Sequence, residues 1–537
     1  MFKFFLVLSM MTLKNNAVEA ASFTSSNLPI LLIDTGGRPI LDQDRIPAHL
    51  EIKHRSDGGR NFPDQPSAFS GRINIEIRGS SSAYFDKKSY GFETQDEDGN
   101  NFNIPLLDLP KENDWILYGP YSDKSLLRNA VTFSLTRKMG RYASDFRFCE
   151  LLINGEYLGL YLLMEKIKRD RNRVNIAELT PDIDDGDALT GGYIIKVDKR
   201  DDQPRGWTSP SRPTVGGTRI FFQYVYPNPA LITSAQERYV QKFILDFENA
   251  LNSSNFRDSH KGYLPFVDEL SFVDMMIINE LTKNIDGYRF STFMYKDRNG
   301  PLTMGPIWDY NLGYGNVDYG SERAMHPDGW MYDQPGGRMY WWRRMMQNYK
   351  FKIRLSERWY ELRRGPFSTT NVTALIDSLT LLIDEAQARN FQRWPVLGRY
   401  LWPNYFVGKT HSDEIDYLKG WIFDRMEWLD DNMPYPDRTV VRQKQDVETV
   451  SVRATPNPFT RLLRISMTAD DGEAELQIFD VLGKPVLRQK DFSLQRGNRS
   501  FLWDGQSAQG SAPPGIYFFR LLMDGKIIYT GKLVKAK

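Results

Sequence analysis

The sequence predicts an α+β protein in which a strand-rich half precedes a helix-rich half, with a small all-β sandwich at the C-terminus. Three observations carry this. Apolar residues alternate with a period of two through much of residues 28–200, and they recur at helical spacing in five stretches after residue 235. From residue 456 short alternating runs are broken by turn residues. A chain of 537 residues is long enough for two or three such units.

The elements follow in order. Met1-Phe2-Lys3, the apolar run 4–13 and the small residues up to Ala21 have the order of a secretory signal peptide over residues 1–21. That run is too short to span a bilayer as a helix, and no later run is longer, so the chain is expected to have no transmembrane segment once the signal is removed. Residues 28–34 read as a buried strand before a Gly-Gly turn. Ile73, Ile75 and Ile77 mark a strand with one buried face. The spacing predicts a helix over 125–135, then a hairpin over 150–161 about Asn154-Gly155, then a strand over 192–197. Amphipathic helices are expected over 235–251, 266–283, 341–363, 372–390 and 413–432, with a strand–turn–strand over 292–308 between the second and third. A cleft is expected between the two halves. Residues 434–455 are polar, charged and flanked by prolines, a linker; 456–537 is the sandwich, with strands over 476–480 and 515–521.

Composition narrows the function. The net charge is +1 with no basic tail or stripe, which gives no footprint for nucleic acid. The single cysteine, Cys149, excludes an intramolecular disulfide and a cysteine zinc site, and its alternating run 146–151 marks it as a packed thiol. The five histidines lack ligand spacing.

Two constellations carry chemistry. The strand through Ile77 ends in Arg78-Gly79-Ser80-Ser81-Ser82, followed by Lys87-Lys88. A glycine among small hydroxyl residues lets backbone N–H groups approach phosphate oxygens, and the cations can neutralise them. By itself this is also an ordinary turn. The second constellation is Asp286, just after a helix, and Asp309, after the strand–turn–strand. The intervening hairpin can return the chain to its start, and phosphoryl transfer needs such a pair: one carboxylate to accept the attacking hydroxyl's proton, another to hold a metal ion, which Asn311 could also ligate. Each aspartate alone reads as a turn or cap residue, and only together do they point to chemistry.

Five ordered blocks then match one family: Arg78-Gly79-Ser80-Ser81-Ser82 with Lys87-Lys88-Ser89-Tyr90; 121–129, containing Asp123-Lys124-Ser125-Leu126-Leu127-Arg128-Asn129; 154–167; Asn284-Ile285-Asp286-Gly287; and Trp308-Asp309-Tyr310-Asn311. Residues 22–433 resemble the CotH kinase family. The resemblance implies a divergent two-lobed, protein-kinase-like fold that moves phosphate from ATP to Ser or Thr of a protein substrate with Mg²⁺ or Mn²⁺. It assigns the catalytic-loop role to Asp286 and metal binding to Asp309. Arg78, Gly79, Ser80 and Ser81 match the phosphate-proximal strand end, and Lys87, Lys88, Glu165 and Lys196 are nucleotide-site candidates. Two positions depart from the family pattern: Ser291 where an Asn is frequent, and Asn311 where a second Asp is frequent. Both can still ligate a metal, with less negative charge. They keep open a second reading, a catalytically weak pseudokinase or structural surface protein that binds a protein or glycan. The 123–129 block is expected to cap and pack a helix, with Arg128 in a structural ion pair.

Trp330, near Gly336-Gly337, is a candidate platform for sugar or peptide, whereas Trp341 reads as core. The C-terminal residues Pro456-Asn457-Pro458-Phe459, 476–484, 514–520 and 531–534 resemble the sorting domain of type IX secretion. That resemblance implies export by this machinery to the medium or the outer-membrane surface of a Gram-negative bacterium.

Overall fold

The computed structural model describes residues 23–42, 44–201, 203–334 and 339–435 in a first unit, and 452–469, 473–480, 484–491, 497–507 and 510–536 in a second. The expected signal peptide, Gly336-Gly337 and most of the expected linker lie outside the described residues.

The strand-rich half forms seven strands: β1 (Ile30–Asp34), β2 (Ile46–Lys53), β3 (Phe69–Arg78), β4 (Ser89–Gln95), β5 (Asp114–Tyr118), β6 (Phe146–Ile153) and β7 (Glu156–Glu165). They close into a barrel in the order β1-β2-β3-β4-β5-β7-β6. The closing pair, β1 on β6, is parallel, with Ile30 opposite Glu150. Ile73 and Ile75 alternate into the barrel interior, where Phe92, Trp115, Leu117 and Leu163 meet them. Each such side chain stabilises the fold by about 1.5–3 kcal/mol on burial. The opposite faces of β5 and β7 are buried too, because Ile116, Leu160, Leu162 and Met164 belong to the core shared with the helices. Double burial explains why those two strands read as continuous apolar runs. Cys149 is fully buried in the barrel, and burial pushes its thiol pKa up to about 12, so it is packing rather than reactive.

Helix α1 (Arg128–Lys138) begins three residues later than the spacing suggests. Leu126 takes a left-handed φ of 63°, which a helix cannot accommodate, and the Asp123 carboxylate accepts the N–H of Arg128 at 2.9 Å ahead of it.

A second sheet joins residues from both halves: β8 (Tyr193–Val197), β9 (Gly206–Thr208), β10 (Phe221–Tyr226), β11 (Thr292–Lys296) and β12 (Leu302–Met304), in the order β12-β11-β8-β10-β9. The division into a strand half and a helix half is therefore incomplete: the expected 292–308 hairpin pairs with β8 from the first half, Thr292 opposite Val197.

The helices are α2 (Ser234–Asn252), α3 (Glu269–Thr282), α4 (Glu322–Met325), α5 (Trp341–Met345), α6 (Tyr349–Arg364), α7 (Thr369–Leu382), α8 (Asp384–Arg393) and α9 (His411–Asn432). A capping box of Thr233 and Gln236 starts α2. Every residue of α3 from Ser271 to Thr282 is buried, which makes it the central helix. Two expected helices are each divided. Asn348, whose side chain caps Lys350 N–H, separates α5 from α6, and Ile383 leaves helical geometry between α7 and α8. No helix of the described residues is long and apolar enough to cross a membrane.

In the second unit a three-stranded sheet (Val452–Thr455, Leu463–Ala469, Gly497–Trp503) and a four-stranded sheet (Pro485–Asp491, Ala474–Asp480, Gly515–Met523, Lys526–Lys535) share one core that includes Ile465, Leu476, Trp503 and Phe519. It is a β-sandwich. It starts at Val452 rather than 456, because Val452 and Ala454 pack against that core.

Candidate active site

The site forms where three chain segments end together. Helix α3 stops at Lys283, which takes the left-handed conformation. The turn that follows is closed by Gly287 N–H to Asn284 O and Arg289 N–H to Asp286 O. It needs glycine at 287, since a Cβ there would stand 2.6 Å from Asn279 Oδ1. Asn279 Nδ2 donates to Gly287 O, and its Oδ1 accepts from Tyr310 OH, so one buried amide ties the Asp286 turn to the Asp309 loop. Asn284 does the same from the other side: its Nδ2 donates to Asp309 O at 3.0 Å.

The loop after β12 carries Trp308 and Asp309. Asp309 has φ 65° and Ser291 φ 48°, two left-handed non-glycine residues on the two loops that face each other. Helix α1 holds this loop from behind: Asn129 Oδ1 accepts Tyr310 N–H at 2.8 Å, and Arg128 Nε donates to Gly313 O at 3.2 Å. Arg128 also forms the expected structural pair, with Asp123 at 2.6 Å, both side chains 1% exposed.

Asp286 is buried and takes the Arg289 guanidinium on its Oδ1 at 2.9 Å. Asp309 is accessible to solvent, yet surrounding protein desolvates it. Burial first, then the charges of Asp286 and Asp198, raise its pKa to about 6, while Lys199 and Arg78 pull the other way. An accessible carboxylate with this behaviour lies in a cleft rather than in a closed core. Tyr319 borders the same cleft, its phenol raised to about 12 by burial and then by Asp286.

Asp198 and Lys199 follow β8 directly. Because Val197 pairs with Thr292, Asp198 reaches the Ser291 backbone, whose N–H donates to Asp198 Oδ1 at 3.4 Å. Lys196 Nζ pairs with Asp198 at 2.9 Å. Lys199 Nζ donates to Ser81 Oγ at 2.9 Å, and Ser80 Oγ donates to Asp201 at 2.5 Å. Arg78 lies over the Trp308 ring, 5.6 Å from its centroid. The structure thus brings together Arg78, Gly79, Ser80, Ser81, Lys196, Asp286, Ser291 and Asp309. The Asn311 carbonyl accepts from Asn316 Nδ2 at 2.9 Å, two residues beyond Asp309.

It does not bring Lys87 or Glu165 to the carboxylates as nucleotide-binding groups, a correction to the expectation. Lys87 is 1% exposed, and its ammonium is used by Leu160 O at 2.6 Å and Asn390 Oδ1 at 2.7 Å, between barrel and α8. Glu165, 1% exposed, accepts from Tyr142 OH and Asp145 N–H. Lys88 donates to Ala83 O, within the turn after Gly79. Trp330 packs edge-on against Trp428 and Tyr332, and Trp341 is fully buried as expected. Sequence reading missed Asp198, Lys199, Arg289 and Tyr319. For the first two a signal existed: a charged pair ending a buried strand, as Arg78 ends β3.

Among the described residues no three or more His, Cys, Asp or Glu side chains form a group able to hold a metal ion by themselves. The carboxylates whose charges act on Asp309 are two, Asp286 and Asp198. Magnesium uses one or two carboxylates with waters and phosphate oxygens, so this set fits an ion that arrives with a nucleotide better than a resident one.

The family model described as CotH kinase protein matches residues 75–429, so the chain belongs to the CotH kinase family. No curated protein matches the chain. Among solved structures, dimeric latent PorU from Porphyromonas gingivalis is 18% identical over 16% of this chain and 9% of its own, with a TM-score of 0.15. The alkylpurine DNA glycosylase AlkC of Pseudomonas fluorescens, bound to DNA with an abasic-site analogue, is 11% identical over 37% of this chain and 65% of its own, with a TM-score of 0.13. The chain covers less than two thirds of either, and neither likeness bears on its fold.

Proposed function

We propose that the first unit is a metal-dependent protein kinase, of two-lobed kinase-like build, that transfers the terminal phosphoryl group of ATP to a Ser or Thr hydroxyl of an exported protein. One observation carries this reading: Asn284 ties the Asp309 loop to the Asp286 turn, and the charges of two carboxylates, Asp286 and Asp198, and of two cations, Lys199 and Arg78, act on Asp309. A polyphosphate needs the cations, and a phosphate-bound divalent ion needs the carboxylates.

Each residue then has a task. Asp286 accepts the proton of the attacking hydroxyl, and Arg289 fixes its orientation. Asp309, with Asp198 beside it, would hold Mg²⁺ or Mn²⁺, which when bound neutralises charge on the phosphates. Arg78 and the Gly79–Ser81 turn would hold the phosphate oxygens. The departures at Ser291 and Asn311 suggested a weakened enzyme. Asp198, hydrogen-bonded to Ser291 N–H, offers a carboxylate at the first of them, which favours the active reading over a purely structural surface protein.

The export reading is a proposal of its own. It rests on the signal-like residues 1–21 and on the likeness of the sandwich to type IX sorting domains.

The test is transfer from labelled ATP, with Mg²⁺ or Mn²⁺, to the protein itself or an added acceptor protein. Asp286→Ala and Asp309→Ala are each expected to lower the rate about 100-fold or more. No transfer by the unaltered protein, together with no calorimetric binding of Mg-ATP, overturns the proposal.

A further inference from the structure

We propose that Lys199 is a phosphate-gripping residue held in reserve by Ser81: a nucleotide's polyphosphate draws its ammonium away from the Ser81 hydroxyl and so loosens the strap formed by residues 79–85. The inference rests on the phosphoryl-transfer reading for the identity of the anion; the clasp itself requires only a polyphosphate.

The strap leaves β3 at Gly79, which has φ 121° and where a Cβ would run into the Ser82 hydroxyl. It contains one short 3-10 turn, Ser81–Tyr84, with no buried residue, and Tyr84 at its tip is 90% exposed. The strap's apolar contact comes at its end, where the Phe85 ring meets Tyr121 at 5.5 Å. Three side-chain hydrogen bonds fasten the rest: Ser80 Oγ to Asp201, Lys199 Nζ to Ser81 Oγ, and Lys88 Nζ to Ala83 O. A segment held this way opens at little cost.

The two cations beside Asp309 are poorly matched in the present state. Among the described residues the Arg78 side chain makes no hydrogen bond or ion pair, although it is half-buried against Trp308 and carries five N–H donors. Lys199, also half-buried, has a neutral hydroxyl as its acceptor, and no carboxylate pairs with it among the described residues. Its backbone is fixed, since Gln223 Nε2 donates to Lys199 O at 2.5 Å, so the ammonium swings on a held stem. A doubly charged oxyanion between Arg78 and Lys199 would meet both needs. There the ammonium would face a formal negative charge in place of a neutral hydroxyl, which strengthens the attraction.

The experiment is calorimetry of the full chain with inorganic pyrophosphate, without metal and then with magnesium, alongside hydrogen exchange over residues 79–85. Lys199→Ala is expected to weaken pyrophosphate binding about 10- to 100-fold, and Lys199→Arg to keep it within about 3-fold. Ser81→Ala, which removes the resting partner, is expected to tighten binding a few-fold, and pyrophosphate is expected to speed exchange in the strap. Unchanged affinity in Lys199→Ala, weaker binding in Ser81→Ala, or no binding by the unaltered protein overturns the clasp. Phosphate transfer with an unchanged KM for ATP in Lys199→Ala would leave the kinase reading standing and remove the clasp. Pyrophosphate binding that depends on Lys199, in a protein that transfers nothing, would do the reverse.

Discussion

Asn284 ties Asp309 to the turn that presents Asp286: its amide donates to the Asp309 carbonyl at 3.0 Å while its Oδ1 accepts the Asp286 N–H at 3.3 Å. Together with Asn279, this buried side chain links the two segments that carry the carboxylates. Asn284→Ala is expected to cost about 1–3 kcal/mol of stability and to lower transfer at least tenfold, mainly in kcat. Unaltered kcat in a folded variant would show that the spacing is set elsewhere.

The raised pKa of Asp309 gives a pH signature. Metal needs the ionised carboxylate, so Mn²⁺ affinity should fall as pH drops through about 6. Stability moves oppositely. The folded protein holds this proton more tightly than the unfolded chain does, so stability falls as pH rises from the ordinary carboxylate range through about 6. Asp309→Asn should abolish metal binding and yet stabilise the first unit at pH 7 by about 1 kcal/mol, a small figure because the group is open to solvent. The gain should vanish below pH 4. Denaturant melts of both proteins at the two pH values decide it.

Arg289 orients Asp286 through two nitrogens at 2.9 Å. Arg289→Ala is expected to reduce kcat about tenfold with little change in the KM for ATP, and Arg289→Lys to recover only part of it, since an ammonium cannot reproduce the guanidinium geometry. Equal loss in KM and kcat would assign Arg289 to nucleotide binding instead.

Gly287→Ala tests the packing beneath the turn. A methyl group would stand 2.6 Å from Asn279 Oδ1, and that oxygen already serves Tyr310 OH. The expected cost is about 1–3 kcal/mol, with loss of transfer because the Asp286 turn moves. A variant of unchanged melting temperature would contradict the close approach.

Breaking the buried Asp123–Arg128 pair from one side should be severe. Arg128→Met leaves Asp123 uncompensated and frees Gly313 O behind the Asp309 loop, for a loss of about 3–5 kcal/mol. Melting of the first unit measures it.

Much of this was legible in the text. Alternation at Ile73 and Ile75, the Asn154-Gly155 turn and the returning hairpin between Asp286 and Asp309 all express local rules of strand period and turn chemistry. Arg128 was read as structural, and its ion pair is there; its second bond, to Gly313 O across 185 residues, was not readable. Lys87 was misjudged because a lysine beside a glycine-serine turn looks free, and only packing reveals Asn390 waiting 303 residues away.

The sequence by itself determined where most strands, helices and turns lie, and that a hairpin separates the two aspartates. Barrel closure through the β1–β6 pair, and the arrival of Asp198 and Lys199 beside Asp309, were decided only by the tertiary structure. The physical reason is range: periodicity and turn propensity act over a few residues, whereas sheet neighbours are chosen by burial of whole faces across more than a hundred.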